Sequence, residues 1–254
     1  MAGSKRLTRR QALGLGAATA LFAGPAAGQD WFNRGLEILE GVTGSQTQGT
    51  GLSNGEIVQG LKEALRVGTD RSISQIGRVD GYLLDKFIRI PLPNTLARAQ
   101  NILRPVGFSG LLDDLETRLN RAAETGAPFA KGLFYDAISA MSVTDAVDIL
   151  QGPDDSATQY FRGAMGPGLK GVFRPVIDRE LSDAGAFTSL ASISDRLSGM
   201  PIGNQVSETA RDDLTDHGLN YALDGLFYYV GKEEAAIRNN PVKRTSEILR
   251  KVFG

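Results

Sequence analysis

The segment Asp213–Asn239, DLTDHGLNYALDGLFYYVGKEEAAIRN, is the longest stretch of helical periodicity in the chain. At about 100° per residue, a set of apolar side chains falls within roughly 60° on one side of such a helix: Leu219, Leu223, Leu226, Val230 and Ile237. A polar and aromatic set falls within roughly 80° on another side: Asp213, His217, Tyr221, Asp224 and Tyr228. Two separate stripes of this kind predict an amphipathic helix that packs its apolar side against a core.

Helical periodicity continues through most of the remaining sequence. We find no alternating strand pair and no Asn-Gly or Asp-Gly hairpin between β-rich runs. Residues 52–254 are therefore predicted to form one compact all-α domain of about eight to ten helices. The string Gly-Leu-Phe-Tyr occurs at 132–135 and again at 225–228. Ordinary resemblance between amphipathic helices explains this recurrence more simply than an internal duplication does.

Local signals place several helix ends. Ser53 and Glu56 have the spacing of a capping box, and so do Ser142 and Asp145. Helices are predicted over 156–165, 169–181 and 245–253. Pro175 predicts a kink or break near Arg174 in the second of these, and 199–203 is predicted to be a loop.

The first 28 residues have the layout of a secretory signal. Four basic residues and no acid precede an apolar run over 12–27, and the small residues before Gly28 suit cleavage there. Thr8-Arg9-Arg10-Gln11-Ala12-Leu13 resembles a twin-arginine export signal. This predicts a periplasmic protein whose transient partner is the twin-arginine export machinery. Residues 29–51 are predicted to form a short helix followed by a Gly/Ser/Thr/Gln linker.

Composition excludes several functional classes. The leader holds four of the 28 basic residues and none of the 29 acidic ones, which leaves 24 basic and 29 acidic residues, a net charge of −5. A mildly acidic chain without a basic block does not suit nucleic-acid binding. No apolar run after the leader is long enough for a membrane span. The absence of cysteine excludes disulfides, thiol catalysis and Cys-ligated metal centres. No cofactor is indicated.

Several strings follow one another in a recognisable order: GLKEAL at 60–65, RIPLP at 89–93, LNRAAE at 119–124, DDSATQYF at 154–161, FRPV at 173–176, ALDGLFY at 222–228, EEAAIR at 233–238 and KVFG at 251–254. Together they resemble the bacterial exported family catalogued as domain of unknown function 4197. The resemblance covers about Leu52 to Gly254. It implies an all-helical exported domain and carries no activity or catalytic residue with it.

Three groups of side chains are candidates for chemistry. His217 with Asp213 or Asp224 offers metal or acid–base chemistry, although a half-exposed helix face explains the pattern more simply. Asp154 and Asp155 suit the capping of a helix N-terminus better than a Ca²⁺ site.

The third group consists of arginines. Arg174 and Arg121 could clamp a carboxylate or phosphate, but structural ion pairs are the preferred interpretation of both, for Arg121 with another helix.

Aromatic residues concentrate in helices that also carry polar groups, as in 129–135, 160–161 and 221–229. Pockets between helices are commonly apolar with a few fixed polar groups. The sequence therefore predicts a non-enzymatic binding protein with a cavity for a small amphipathic or lipid-like ligand. The candidate ligand-binding residues are Arg121, Asp154, Asp155, Tyr160, Arg174, His217, Tyr221, Asp224 and Tyr228.

Two alternatives remain open at this point. One is a metal-dependent or acid–base hydrolase that uses the face with His217 and Asp224. The other is a structural envelope-interaction protein, for which a large exposed apolar patch is the expected signature.

Overall fold

A computed structural model describes residues 54–183, 185–207 and 211–239. These residues form nine α-helices and no strand, which confirms the all-α prediction. The helices are α1 (Asn54–Ile76), α2 (Asn94–Leu103), α3 (Gly110–Gly126), α4 (Ala130–Ala140), α5 (Val143–Gln151), α6 (Ser156–Asp183), α7 (Ala186–Arg196), α8 (Pro201–Ser207) and α9 (Arg211–Asn239). The predicted signal segment, the segment 29–51, the first capping box and the last predicted helix lie outside these residues.

Helix α6 lies at the centre of the fold, packed against both α3 and α9, and α9 also packs against α1. The Phe161 ring of α6 is fully buried and meets Phe134 of α4 edge-on, with 5.1 Å between ring centroids. At Gly218 of α9 an added Cβ would lie 2.8 Å from a Leu119 methyl group of α3. The absence of a side chain there lets the two helices approach closely.

The predicted apolar stripe of α9 is buried along its whole length, as expected for the side that faces the core. The polar and aromatic stripe is exposed or half-buried at each of its members. The second capping box is also confirmed. The Ser142 hydroxyl oxygen accepts from the Asp145 amide at 3.1 Å, and the Asp145 carboxylate accepts from the Ser142 amide at 2.8 Å.

Two local predictions were wrong. The helices predicted over 156–165 and 169–181 form one continuous helix, α6, which runs through Pro167 and Pro175, so no helix ends near Arg174. Its buried residues recur about every four positions, and burial against two neighbouring helices offsets the roughly 3 kcal/mol that an interior proline costs. The predicted loop 199–203 is shorter than expected, because α8 already begins at Pro201. The fixed φ of proline suits the first position of a helix.

The N-terminus of α6 is bound by a carboxylate from α9. Glu234 accepts hydrogen bonds from the amides of Ala157 and Thr158, at 2.8 and 2.9 Å, and from the Thr158 hydroxyl at 2.8 Å. Arg238 pairs with Glu234 at 2.9 Å and donates to the carbonyl of Ile149, at the end of α5. The buried pair therefore joins the α5–α6 corner to α9.

Among the described residues, none of the helices has the length and apolarity of a membrane-spanning segment.

Candidate functional site

Residues 77–93 connect α1 to α2 without a helix and are held in place by polar side chains of α3. Asn120 is completely buried. Its side-chain oxygen accepts from the Ile90 amide at 2.8 Å, and its side-chain nitrogen donates to the Ile90 carbonyl, also at 2.8 Å. A single side chain thus satisfies both backbone groups of a buried residue in the loop.

A second side chain of α3 holds the first half of this loop. The buried Glu124 carboxylate accepts from the amides of Tyr82 and Leu83, at 3.0 and 3.1 Å. Arg121 donates to Glu124 and to Asp80, at 2.7 Å each. Asp80 has a φ of 67°, a left-handed conformation that is uncommon for a residue with a side chain. Such conformations persist where surrounding contacts enforce them.

Tyr82 fixes the loop against α9. Its ring is fully buried, and its hydroxyl donates to the Ala222 carbonyl at 2.7 Å. A Cβ at Gly225 would lie 2.7 Å from this ring, so glycine is needed for the close approach. Burial and the nearby Glu124 charge raise the pKa of Tyr82 well above its ordinary value. The hydroxyl therefore remains a donor.

The outer side of the loop presents large apolar side chains to solvent. Val79, Leu84 and Phe87 have 74%, 73% and 59% of their surface exposed. Beside them lies an open groove of about 340 Å³. It is lined by Gln75, Arg78, Val79, Asp80, Gly81, Leu84 and Asp85. The groove therefore combines apolar walls with hydrogen-bonding and charged groups.

Next to the groove is a group that we call the aromatic–lysine cluster: Phe87, Tyr228, Tyr229 and Lys232. The rings of Phe87 and Tyr228 stack with 5.5 Å between their centroids. The Lys232 ammonium lies 5.4–5.5 Å from the centroids of all three rings, within the range of cation–π attraction. Asp85 joins the cluster to the groove, because it accepts from the Tyr229 hydroxyl and from the Phe87 amide.

A family model described as "Protein of unknown function (DUF4197)" matches residues 51–254. The chain belongs to this family. The match confirms the resemblance that the strings of sequence indicated. No curated protein and no solved structure matches the chain.

Two of the strings that indicated the family now have a structural explanation in this member. LNRAAE, at 119–124, supplies the three α3 side chains that hold the loop. EEAAIR, at 233–238, supplies the pair of Glu234 and Arg238 that joins the α5–α6 corner to α9. In both strings, therefore, a buried glutamate accepts hydrogen bonds from the backbone amides of two consecutive residues.

The hydrogen bond between Tyr229 and Asp85 shifts the pKa of both side chains. Burial, the hydrogen bond to Asp85 and the charge of that carboxylate raise the pKa of Tyr229 to about 12. Partial burial acts to raise the pKa of Asp85, but hydrogen bonds from Tyr229 and from the Phe87 and Ile88 amides outweigh it. The pKa of Asp85 therefore lies below its usual value.

We expect the stabilising effect of the Tyr229 hydroxyl to disappear in alkali. The folded-state pKa of about 12 exceeds the ordinary value of 10.0, so the contribution is complete below pH 10 and is lost as the pH rises toward 12. The difference in urea midpoint between wild type and Tyr229→Phe should accordingly shrink between pH 9 and pH 11.5. A difference that stays constant over that range would contradict the assignment of the shift to Tyr229.

Few of the candidate residues from the sequence lie at this surface. Tyr228 belongs to the aromatic–lysine cluster, and Arg121 holds the loop from behind. The ion pair preferred for Arg121 exists, but Asp80 in the loop and Glu124 on the same helix supply it, not another helix. Arg174 forms its preferred structural pair, with Asp216 of α9. Tyr160 packs against Phe161 with 5.7 Å between ring centroids.

The paired acids do not cap α6 as predicted. The amides at the start of α6 bond to Glu234, which reaches them from another helix. Asp154 instead accepts from the Asn239 side chain at 2.9 Å, and Asp155 accepts from the Gln159 side chain at 3.0 Å. The two acids do precede the start of the helix, as predicted. The cap, however, comes from Glu234, a buried carboxylate paired with Arg238.

The proposed catalytic face of α9 is engaged in other contacts. His217 Nε2 lies 2.8 Å from the Pro91 carbonyl, and since a carbonyl can only accept, Nε2 carries the proton. The His217 ring also packs on Tyr221, with 4.6 Å between centroids. Asp224 pairs with Arg162 at 3.0 Å. Across the described ranges, no three His, Asp or Glu side chains gather as metal ligands would.

Sequence reasoning marked only the end of the loop, RIPLP at 89–93, and not its exposed side. The residues it missed are Gln75, Arg78, Val79, Asp80, Leu84, Asp85, Phe87 and Lys232. The available signal was the end of helical periodicity after Ile76, followed by apolar and basic residues without a new helix start. That pattern separates a loop from a helix, but it does not show which side of the loop is buried.

Proposed function

We propose that the protein is an exported, non-enzymatic binding protein that holds a small amphipathic ligand in the groove beside the 77–93 loop. The observation that carries the proposal is the composition of the groove. Its volume of about 340 Å³ is at the lower end of the range for small-molecule sites. Val79 and Leu84 supply apolar walls, while Gln75 and Arg78 supply polar contacts.

The charges of the groove favour a ligand with a polar head. Arg78 is exposed and has no carboxylate partner in the part of the chain that the structure describes, so its guanidinium is available for a phosphate or carboxylate group. Asp80 and Asp85 are already engaged by Arg121 and Tyr229. A ligand whose apolar tail packs against Val79 and Leu84 and whose acidic group binds Arg78 would use both the apolar and the polar residues of the groove.

The loop is prepared for binding before any ligand arrives. Asn120 and Glu124 together bond three of its backbone amides, those of Ile90, Tyr82 and Leu83. A site whose backbone is already fixed loses little conformational entropy on binding. Export is supported by the layout of the first 28 residues, which combines basic residues, an apolar run and small residues.

We expect Arg78→Ala to weaken the binding of a monomeric lysophospholipid by about tenfold or more, because a charge-assisted hydrogen bond to the head group is lost. Isothermal titration calorimetry of the full chain with lauroyl lysophosphatidylethanolamine, kept below its micelle concentration, measures this. Arg98→Ala is the matched control, since Arg98 is exposed on α2 and does not line the groove. Equal affinities in wild type and both variants, or no binding by wild type, would contradict the proposed site.

A further inference from the structure

The exposed side of the 77–93 loop has a combination of side chains that the groove alone does not explain. Val79 and Leu84 are the two most exposed large apolar side chains in the described part of the chain, and Phe87 follows three residues after Leu84. The loop beneath them is fixed by buried hydrogen bonds to α3 and α9. The apolar side chains therefore project from a rigid backbone.

Basic side chains lie beside these apolar ones. Arg78, Lys86 and Lys232 are all exposed. The Lys86 ammonium lies 4.8 Å from the Phe87 ring centroid, and Lys232 lies over the same ring from α9. The surface also holds two acids: Asp80 pairs with Arg121, and Asp85 keeps its charge while it accepts from the Tyr229 hydroxyl. Three cations thus lie beside the apolar side chains of this surface.

We propose that this surface docks on a lipid bilayer that carries anionic head groups. Val79, Leu84 and Phe87 enter the boundary between head groups and acyl chains, where apolar and aromatic side chains are favoured. Arg78, Lys86 and Lys232 face the lipid phosphates. The inference rests on the proposed function, because an amphipathic ligand that leaves the bilayer would meet the groove on the same face.

Charge complementarity favours a bilayer over a second copy of this chain. A symmetric dimer through this surface would set identical patches against each other. The cations beside the apolar side chains would then lie close to the same cations of the partner, which disfavours association. An anionic bilayer offers these cations the opposite charge and offers the three apolar side chains an apolar layer.

The test is sedimentation of the full chain with vesicles. We expect binding to vesicles of phosphatidylethanolamine with phosphatidylglycerol, weaker binding to neutral phosphatidylcholine vesicles, and loss of the preference at 0.5 M salt. The double variant Phe87→Ser/Lys86→Gln should bind the anionic vesicles about fiftyfold more weakly. About fivefold is expected from the lost cation and about tenfold from the lost ring.

A matched control lies elsewhere on the molecule. Phe108 is 53% exposed, and the Arg196 guanidinium carbon lies 4.9 Å from its ring centroid. This arrangement resembles that of Phe87 and Lys86. Phe108→Ser/Arg196→Gln should leave vesicle binding unchanged. Equal loss in the two double variants, or no binding of wild type to anionic vesicles, would overturn the proposal. A dimer in light scattering that only the first variant dissociates would assign the surface to a second copy and overturn it too.

The two proposals can fail separately. Phe87 and Lys86 do not line the groove, so Phe87→Ser/Lys86→Gln should still bind lauroyl lysophosphatidylethanolamine in solution. Retained lysophospholipid binding by a protein that never sediments with vesicles overturns only the bilayer docking. Vesicle sedimentation by a protein that binds no lysophospholipid overturns only the groove ligand.

Discussion

Replacing Glu234 with alanine should lower the free energy of unfolding by about 3–5 kcal/mol, the usual cost of removing one partner of a buried ion pair. Glu234 and Arg238 have only 5% and 2% of their side-chain surface exposed. The substitution removes the buried carboxylate that pairs with Arg238. It also removes the acceptor of two amides and a hydroxyl at the start of α6.

Urea denaturation followed by circular dichroism measures this effect. Asp224→Ala is the matched control, because Asp224 also pairs with an arginine and lies on the same helix, but 70% of its side-chain surface is exposed. Exposed pairs contribute less than about 1 kcal/mol. If Glu234→Ala and Asp224→Ala lowered the free energy of unfolding by similar amounts, burial would not explain the contribution of the Glu234 pair. If Glu234→Ala does not fold, the milder Glu234→Gln, which keeps an acceptor, should give an intermediate loss.

Asn120→Ala should lower the free energy of unfolding by about 2–4 kcal/mol. The substitution leaves the amide and the carbonyl of Ile90 without their partners in a fully buried environment, and each such group costs about 1–3 kcal/mol. The loop carries the groove, so the same variant should also bind the lysophospholipid more weakly.

The same urea titration tests this prediction, with Asn101→Ala as the control. Asn101 is exposed on α2, and alanine has the higher helix propensity, so that variant should be as stable as wild type or slightly more stable. A loss below about 1 kcal/mol in Asn120→Ala would mean that water replaces the side chain at Ile90. The loop would then be held mainly by Glu124 and Tyr82.

Periodicity and capping rules were sufficient for the buried side of α9 and for the start of α5. The apolar stripe of α9 and the capping box of Ser142 and Asp145 are local patterns, and both are confirmed. Such patterns depend on residues three or four positions apart. The sequence already contains all the information needed to recognise them.

Contacts between distant residues could not be predicted in this way. Glu234 bonds to amides 76 and 77 positions earlier in the chain, and Tyr82 bonds to a carbonyl 140 positions later. Pro175 predicts a kink or break because local rules do not include the packing that outweighs its cost. The groove was missed for the same reason, since neighbours from α3 and α9 decide which side of the loop faces solvent.

The hydrogen bonds between the loop and α9 also determine at which stage of protein synthesis the groove can form. A ribosome makes the chain from its N-terminus, so the loop emerges well before its partners at Ala222 and Tyr229. Until those residues have emerged and α9 has docked, Tyr82 and Asp85 lack the contacts that give the loop its final shape. A truncated or unfinished chain therefore carries the loop sequence without the finished surface. Transport of an already folded protein, the route expected from the twin-arginine string, would deliver the surface fully assembled.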